Sequence, residues 1–137
     1  MLRKKKLTIN DVVIKIKKIP ILGPKNLLKE ALEEMSKRKL GICFCINDNG
    51  KLLGILTDGD IRRKILNIQK PFSALLNDDL EIHINKKPTK IKLNQNLITA
   101  LNIMKNRLIW DLPVVDKSNK LIGMLHLHPV VKALIKK

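Results

Sequence analysis

Sliding the 137-residue chain along itself by 69 positions brings residues 28–66 onto 97–135 without a gap. Nine of the 39 aligned positions are identical: Leu28/Leu97, Ala31/Ala100, Leu32/Leu101, Met35/Met104, Arg38/Arg107, Lys51/Lys120, Leu52/Leu121, Gly54/Gly123 and Leu56/Leu125. Conservative pairs such as Leu40/Ile109, Cys45/Val114, Ile46/Val115 and Ile61/Val130 fill the spaces between them. An unbroken register with a retained glycine means that one structural unit is used twice. A single unit of this length holds too little core to stand alone, so the two must bury a face against each other.

Each copy carries the same two periods. Leu28, Ala31, Leu32 and Met35 fall on one face of a helix, as do Leu97, Ala100, Leu101 and Met104. A strand-like run follows in each, residues 41–46 or 112–115, and then a hairpin-closing turn, Asn47-Asp-Asn-Gly50 or Asp116-Lys-Ser-Asn119. A second strand at 52–56 or 121–125 leads to a short helix at 60–66 or 129–135. A leading β segment is expected around 12–16, more weakly near 19–22, and again around 89–93. The unit is therefore β-α-β-β-α, and the fold class is a layered α+β (α/β) arrangement. In it the two units pack sheet against sheet with pseudo-two-fold symmetry. The boundaries read as a basic N-terminal tail at 1–11, unit 1 at 12–70, a connector at 71–79 and unit 2 at 80–137.

A formal net charge of +16 invites a nucleic-acid reading, but its make-up argues against one. Of the 28 basic residues 23 are Lys, with only five Arg, the side chain whose planar fork suits phosphate. The aromatic side chains are Phe44, Phe72 and Trp110, a poor set of stacking platforms. Lys, Asn and Ile abound together, as AT-rich codon usage would give. Nucleic acid is therefore an unfavoured partner, and the Arg3–Lys6 cluster reads as a solvated tail. The residues after it are mixed rather than apolar, so no signal peptide is read, and no apolar run approaches the roughly 18 residues of a membrane helix. Two cysteines make no disulfide framework. A cytoplasmic protein without membrane contact is expected.

The chemistry concentrates at Thr57-Asp58-Gly59-Asp60, where a strand gives way to a helix. A helix start offers unpaired N–H groups and partial positive charge, which suit an anion. The Thr57 hydroxyl suits a phosphate or ribose oxygen. Asp60 suits two vicinal hydroxyls, and Arg62 and Arg63 reach toward phosphates. The same residues also suit a plain structural role, with Thr57 or Asp58 as the cap and Asp60 favouring the helix dipole. In the second copy Pro129 replaces Asp60, so the helix start survives without the carboxylate. His126 and His128 remain there as polar groups able to meet a phosphate. The module is expected to be asymmetric, with a strong first site and a weak or absent second one.

Two tandem β-α-β-β-α units, the first with Gly54-Ile-Leu-Thr57-Asp-Gly-Asp60, resemble a cystathionine-β-synthase-type (CBS) domain pair. The runs Leu53-Gly-Ile-Leu-Thr-Asp-Gly-Asp-Ile-Arg-Arg63, Leu112-Pro-Val-Val-Asp116 and Gly123-Met-Leu-His-Leu-His128 resemble the C-terminal CBS pair of bacterial arabinose 5-phosphate isomerases. That family opens the pathway to the octulosonic acid of lipopolysaccharide. The resemblance implies that Asp60 contacts ribose and that a purine sits near Ile19, Pro20, Gly41 and Cys43. The implied ligand is regulatory rather than a required cofactor: an adenine nucleotide (AMP, ADP or ATP) or a CMP-sugar. It also implies a non-catalytic module joined into a homodimer, with the outer helix faces Ile61/Ile65 and Val130/Leu134 as the interface. The alternative is a truncated or split part of an arabinose 5-phosphate isomerase, with a separate sugar isomerase domain as partner, since the isomerising domain has no room here.

Other constellations point to packing. Cys43 and Cys45 lie two apart on one strand face and read as buried thiols. His83, His126, His128 and the cysteines lack metal-ligand spacing, so no metal site is assigned. Met35 and Met104 read as core. Trp110, at the helix-to-strand crossing, reads as core or unit interface ahead of an adenine platform facing the cleft.

Overall fold

A computed structural model describes residues 7–136; the Arg3–Lys6 cluster lies outside them. The hairpins form as their sequences direct. In the first unit β3 (Ile42–Ile46) pairs antiparallel with β4 (Leu52–Thr57), and in the second β6 (Asp111–Val115) pairs with β7 (Leu121–His126). Both turns close in the same way. Asn47 Oδ1 accepts from the Asn49 and Lys51 N–H groups, and Asp116 Oδ1 accepts from those of Ser118 and Lys120. Gly50 (φ 81°) and Asn119 (φ 65°) occupy the left-handed position that each turn requires.

Helix α2 (Leu28–Arg38) and its counterpart α5 (Leu97–Arg107) each bury the expected stripe: Leu28, Ala31 and Met35, or Leu97, Ala100 and Met104. Their starts are satisfied differently. The Glu30 carboxylate accepts from the Leu27 N–H at 2.9 Å, whereas Asn96 Oδ1 accepts from the Thr99 N–H at 2.8 Å. Both helices end on a left-handed residue, Lys39 or Leu108. A parallel strand, β2 (Ile21–Leu22) or β5 (Ile91–Lys92), flanks β3 or β6.

Strand alternation sorts the core into three regions. Cys43 and Cys45 of β3 face the helices of unit 1, while Ile42 and Phe44 face the other way. Leu112 and Val114 of β6 likewise join the helix-side core of unit 2. Between the sheets lies a third cluster of Ile19, Ile42, Phe44, Leu52, Val115, Leu121 and Met124, so the units do pack sheet against sheet. Phe44 is fully buried there. Truncating it to alanine would remove about 3–5 kcal/mol, which is much of a small protein's stability. The hairpin tips meet through an antiparallel bridge between Lys51 and Lys120, flanked by Leu52 N–H to Asn119 carbonyl and Leu121 N–H to Gly50 carbonyl bonds, each 3.0 Å.

The first leading segment differs from the sequence expectation. Strand β1 (Ile14–Lys15) does not join the sheet of unit 1. It pairs antiparallel with β7 of unit 2, giving the order β1-β7-β6-β5 beside β2-β3-β4. Reciprocally, Asn85, near the start of unit 2, bridges Ile55 in β4 of unit 1. The short helix α1 (Ile9–Val12) falls mostly within the expected tail, yet its Ile9 is fully buried in the core of unit 2. This exchange explains the conserved repeat glycines. A Cβ on Gly54 would lie 2.5 Å from the Asn85 carbonyl oxygen, and one on Gly123 would collide with that of Ile14. The connector contains a further short helix, α4 (Phe72–Leu76), which packs Leu75 into unit 1.

Candidate functional site

Helix α3 (Asp58–Asn67) starts two residues earlier than the apolar pattern suggested, because Thr57 is its cap. Thr57 Oγ1 accepts from the Asp60 N–H at 3.2 Å, and Asp60 Oδ2 accepts from the Thr57 N–H and hydroxyl, both at 3.0 Å. Asp60 is therefore the third helical residue and closes a reciprocal capping box. Its Oδ1 accepts from Arg63 Nη2 at 2.7 Å. Burial raises the Asp60 pKa, but the Thr57 N–H, Arg63 and the Thr57 hydroxyl outweigh burial and hold the carboxyl below its usual range. It remains an anion with acceptor capacity to spare.

Residue separations in the sheet bring the other candidates to the same end. Ile42 pairs with Thr57, the Gly41 carbonyl accepts from the Asp58 N–H at 2.9 Å, and the Pro20 carbonyl accepts from the Phe44 N–H at 2.9 Å. Ile19-Pro20, Gly41–Cys43 and Thr57–Asp60 thus share one end of the sheet. Gly41 is required there, since a Cβ would lie 2.6 Å from Asp58 Oδ2.

Two cavities flank the start of α3, and they divide the candidate residues. One, of about 340 Å³, is lined by Asp60, Arg63, Lys64 and Asn67 of α3 together with His83 and Asn85 from the leading segment of unit 2. The other, of about 470 Å³, is lined by Gly41 and Asp58 with Leu32, Met35, Ser36 and Lys39. Of the expected purine wall, only Gly41 lines either cavity. Ile19 is packed into the inter-sheet core, Cys43 faces the helices of unit 1, and Pro20 is buried. Burial pushes the Cys43 thiol up to about 12 and the Cys45 thiol up to about 11; both are free. Arg62 is exposed and lines neither cavity. His83 and Asn85 carry no local signal of a site; only the exchange of leading segments delivers them.

The second unit differs at each equivalent position. Helix α6 (Leu127–Ile135) starts at Leu127, making Pro129 its third residue rather than its first. Its missing N–H is still among those a helix leaves unpaired. His126 occupies the cap position without a capping bond, and its Nδ1 instead lies 2.7 Å from Asp111 Oδ1. The Asp111 carboxylate beside this helix start opposes an anion there, and His128 is exposed. Because the Lys51–Lys120 bridge is antiparallel, β4 and β7 run from it in opposite directions, so Thr57 and His126 belong to opposite ends. Trp110 corrects the core expectation: it is 68% exposed, since Ile109 takes the inward position and packs against the core of unit 2. Leu108 beside it is 85% exposed. Of the proposed interface faces, Val130 is fully buried, and Ile61 and Leu134 pack into the unit cores. Ile65 does point outward, as do Leu66, Val131 and Ile135. Among the described residues no three His, Cys, Asp or Glu groups converge as a metal site, and no helix is long and apolar enough to cross a membrane.

The family model described as "CBS domain" matches twice, over residues 9–67 and 79–136. Arabinose 5-phosphate isomerase KdsD of Francisella tularensis is 31% identical over 134 residues, covering 95% of this chain and 38% of that protein. The Escherichia coli protein of the same name is 31% identical over 133 residues, 96% of this chain and 38% of its own length. An uncharacterized Helicobacter pylori protein is 35% identical over 119 residues, 86% of this chain and 35% of its own length. The chain spans little more than a third of the length of these curated relatives. Among solved structures, CBSX2 in complex with AMP superimposes with a TM-score of 0.81 at 26% identity, covering 93% of this chain and 96% of that one. A CBS domain-containing protein of unknown function from Bacillus anthracis gives 0.84 at 21%, covering 96% and 94%.

Proposed function

The chain belongs to the CBS domain family, with two copies filling most of its length, and on that premise we propose that it is a regulatory module that binds an adenine nucleotide and is not itself catalytic. The observation that carries this reading is the first helix start. There an ionised Asp60, held by Thr57 and Arg63, borders a cavity whose wall includes Lys64. A carboxylate acceptor beside cations is the pairing that a ribose diol and a phosphate need. A similar protein, CBSX2, has been solved with AMP. The second unit has neither the carboxylate nor a threonine cap, so one nucleotide per chain is expected. Homodimer formation and a cytoplasmic setting belong to the same proposal.

A thermal-shift screen of AMP, ADP, ATP and a CMP-sugar tests it, because a ligand that binds only the folded state raises the midpoint by mass action. An adenine nucleotide is expected to raise it in the native protein and not in Asp60→Ala. Titration calorimetry is expected to give one equivalent; two equal sites, or no response to any adenine nucleotide, would overturn the reading. The match to isomerase relatives over 38% of their length supports a second reading, a module acting on a separate sugar isomerase domain. Co-purification with such a domain, and a change in its isomerase rate on adding this chain, test that reading.

A further inference from the structure

The cavity beside Asp60 is completed by a residue of the other repeat. His83 is buried, and its Nε2 lies 2.8 Å from Asp78 Oδ2. Lys70 Nζ holds the same carboxylate, 2.7 Å from Oδ1 and 2.8 Å from Oδ2. An ionised carboxylate only accepts, so Nε2 carries a ring proton, and in the neutral imidazole Nδ1 keeps a lone pair. That Nδ1 is the one buried side-chain nitrogen or oxygen among the described residues with no hydrogen-bond partner. Buried acceptors in folded proteins are almost always satisfied, by protein, water or a ligand. His83 forms part of the wall of the 340 Å³ cavity that also holds Asp60, Arg63 and Lys64. The Asp60 carboxylate, the His83 ring and two cations therefore border one cavity. The set matches an anion that carries neighbouring hydroxyl groups.

We propose that His83 is a specificity residue for the ligand of the first unit. Its Nδ1 accepts a hydrogen bond from one ribose hydroxyl while Asp60 accepts from the other, so that a single ribose is read by both repeats. The inference rests on the nucleotide reading above and adds the residue that distinguishes ribose from deoxyribose. Because the leading segment of unit 2 supplies His83 to the site of unit 1, the same contact makes ligand occupancy tighten the junction between the units.

The test is calorimetry on the whole chain with AMP, 2′-deoxy-AMP and 3′-deoxy-AMP, joined to imidazole 1H–15N NMR. Each deoxy analogue is expected to bind about tenfold more weakly than AMP, since losing a hydroxyl leaves a buried acceptor unpaired. His83→Phe is expected to lose discrimination against one analogue while keeping it against the other. In the native protein the Nδ1 resonance is expected to move at saturating AMP, a readout that needs no variant to fold. AMP binding that depends on Asp60 while Nδ1 stays unmoved, or His83→Phe discriminating as the native protein does, overturns the inference and leaves the nucleotide reading intact. No binding of AMP to the native protein overturns both.

Discussion

Thr57 and Asp60 hold each other across the first turn of α3: each side chain accepts from the backbone N–H of the other, at 3.0 and 3.2 Å. The same carboxylate that anchors the helix start also borders the cavity, so a structural cap and a ligand acceptor coincide in one side chain. Cap loss and ligand loss are therefore separable only by choosing the residue. Thr57→Ala leaves Asp60 in place and is expected to reduce stability by about 1 kcal/mol. Asn96→Ala, the cap of α5 far from the site, is expected to reduce it by a similar amount. Urea denaturation checks both, and only the first should also weaken nucleotide binding.

Gly54 and Gly123 are where the leading segment of one unit crosses the hairpin of the other. Gly54→Ala sets a methyl 2.5 Å from the Asn85 carbonyl oxygen, a backbone atom fixed by its own pairing to Ile55. Each of Gly54→Ala and Gly123→Ala is expected to destabilise the fold by about 1–3 kcal/mol. Gly23→Ala, whose nearest neighbour is the Asn26 side-chain oxygen at 3.5 Å, is expected to be close to neutral in the same denaturation assay.

Acid should unfold the protein through two carboxylates. The Asp78 carboxyl is held below its usual range by Lys70 and His83, and that of Asp60 by Thr57 and Arg63 against the opposing effect of burial. For a lowered pKa the stabilisation is fully present above the unfolded value of 3.8 and disappears as pH falls through the lower folded value. Stability measured by denaturant titration is expected to fall below about pH 4 on this account, and Asp60→Asn with Asp78→Asn should flatten that limb.

Thiol chemistry reports on the unit 1 core. With Cys43 at about 12 and Cys45 at about 11, both buried, almost no thiolate exists at pH 8. A thiol-disulfide reagent such as DTNB should leave both unreacted in the native protein and titrate two in guanidinium. Rapid native reaction would show that β3 opens without global unfolding.

Self-association is expected to use the outward helix residues, Ile65 among them, rather than Ile61, Val130 and Leu134. Leu66 is 74% and Ile135 73% exposed, at equivalent places on α3 and α6. Light scattering is expected to give a dimeric mass, reduced to a monomer by Leu66→Glu with Ile135→Glu. A monomeric mass for the native chain would refute the dimer.

The 69-residue repeat by itself determined much of this protein. It fixed two like units, the helix stripes ending at Met35 and Met104, the paired hairpins with their Asx-type turns, and the helix start at Thr57–Asp60. All of these are set by neighbours a few residues apart, whose spacing is written in the chain. Tertiary structure alone decided where the leading segments go. Strand β1 and Asn85 stand near the starts of units 1 and 2 in sequence, yet each pairs across to the other unit, because the free edges of β7 and β4 are there to be satisfied. That exchange carries His83 to the cavity beside Asp60. Strand alternation and the packing of the sheets make Cys43 and Ile19, expected at the ligand, into core. The outward turn of Trp110 was equally invisible, since only the packing of Ile109 decides which of two adjacent apolar side chains faces water.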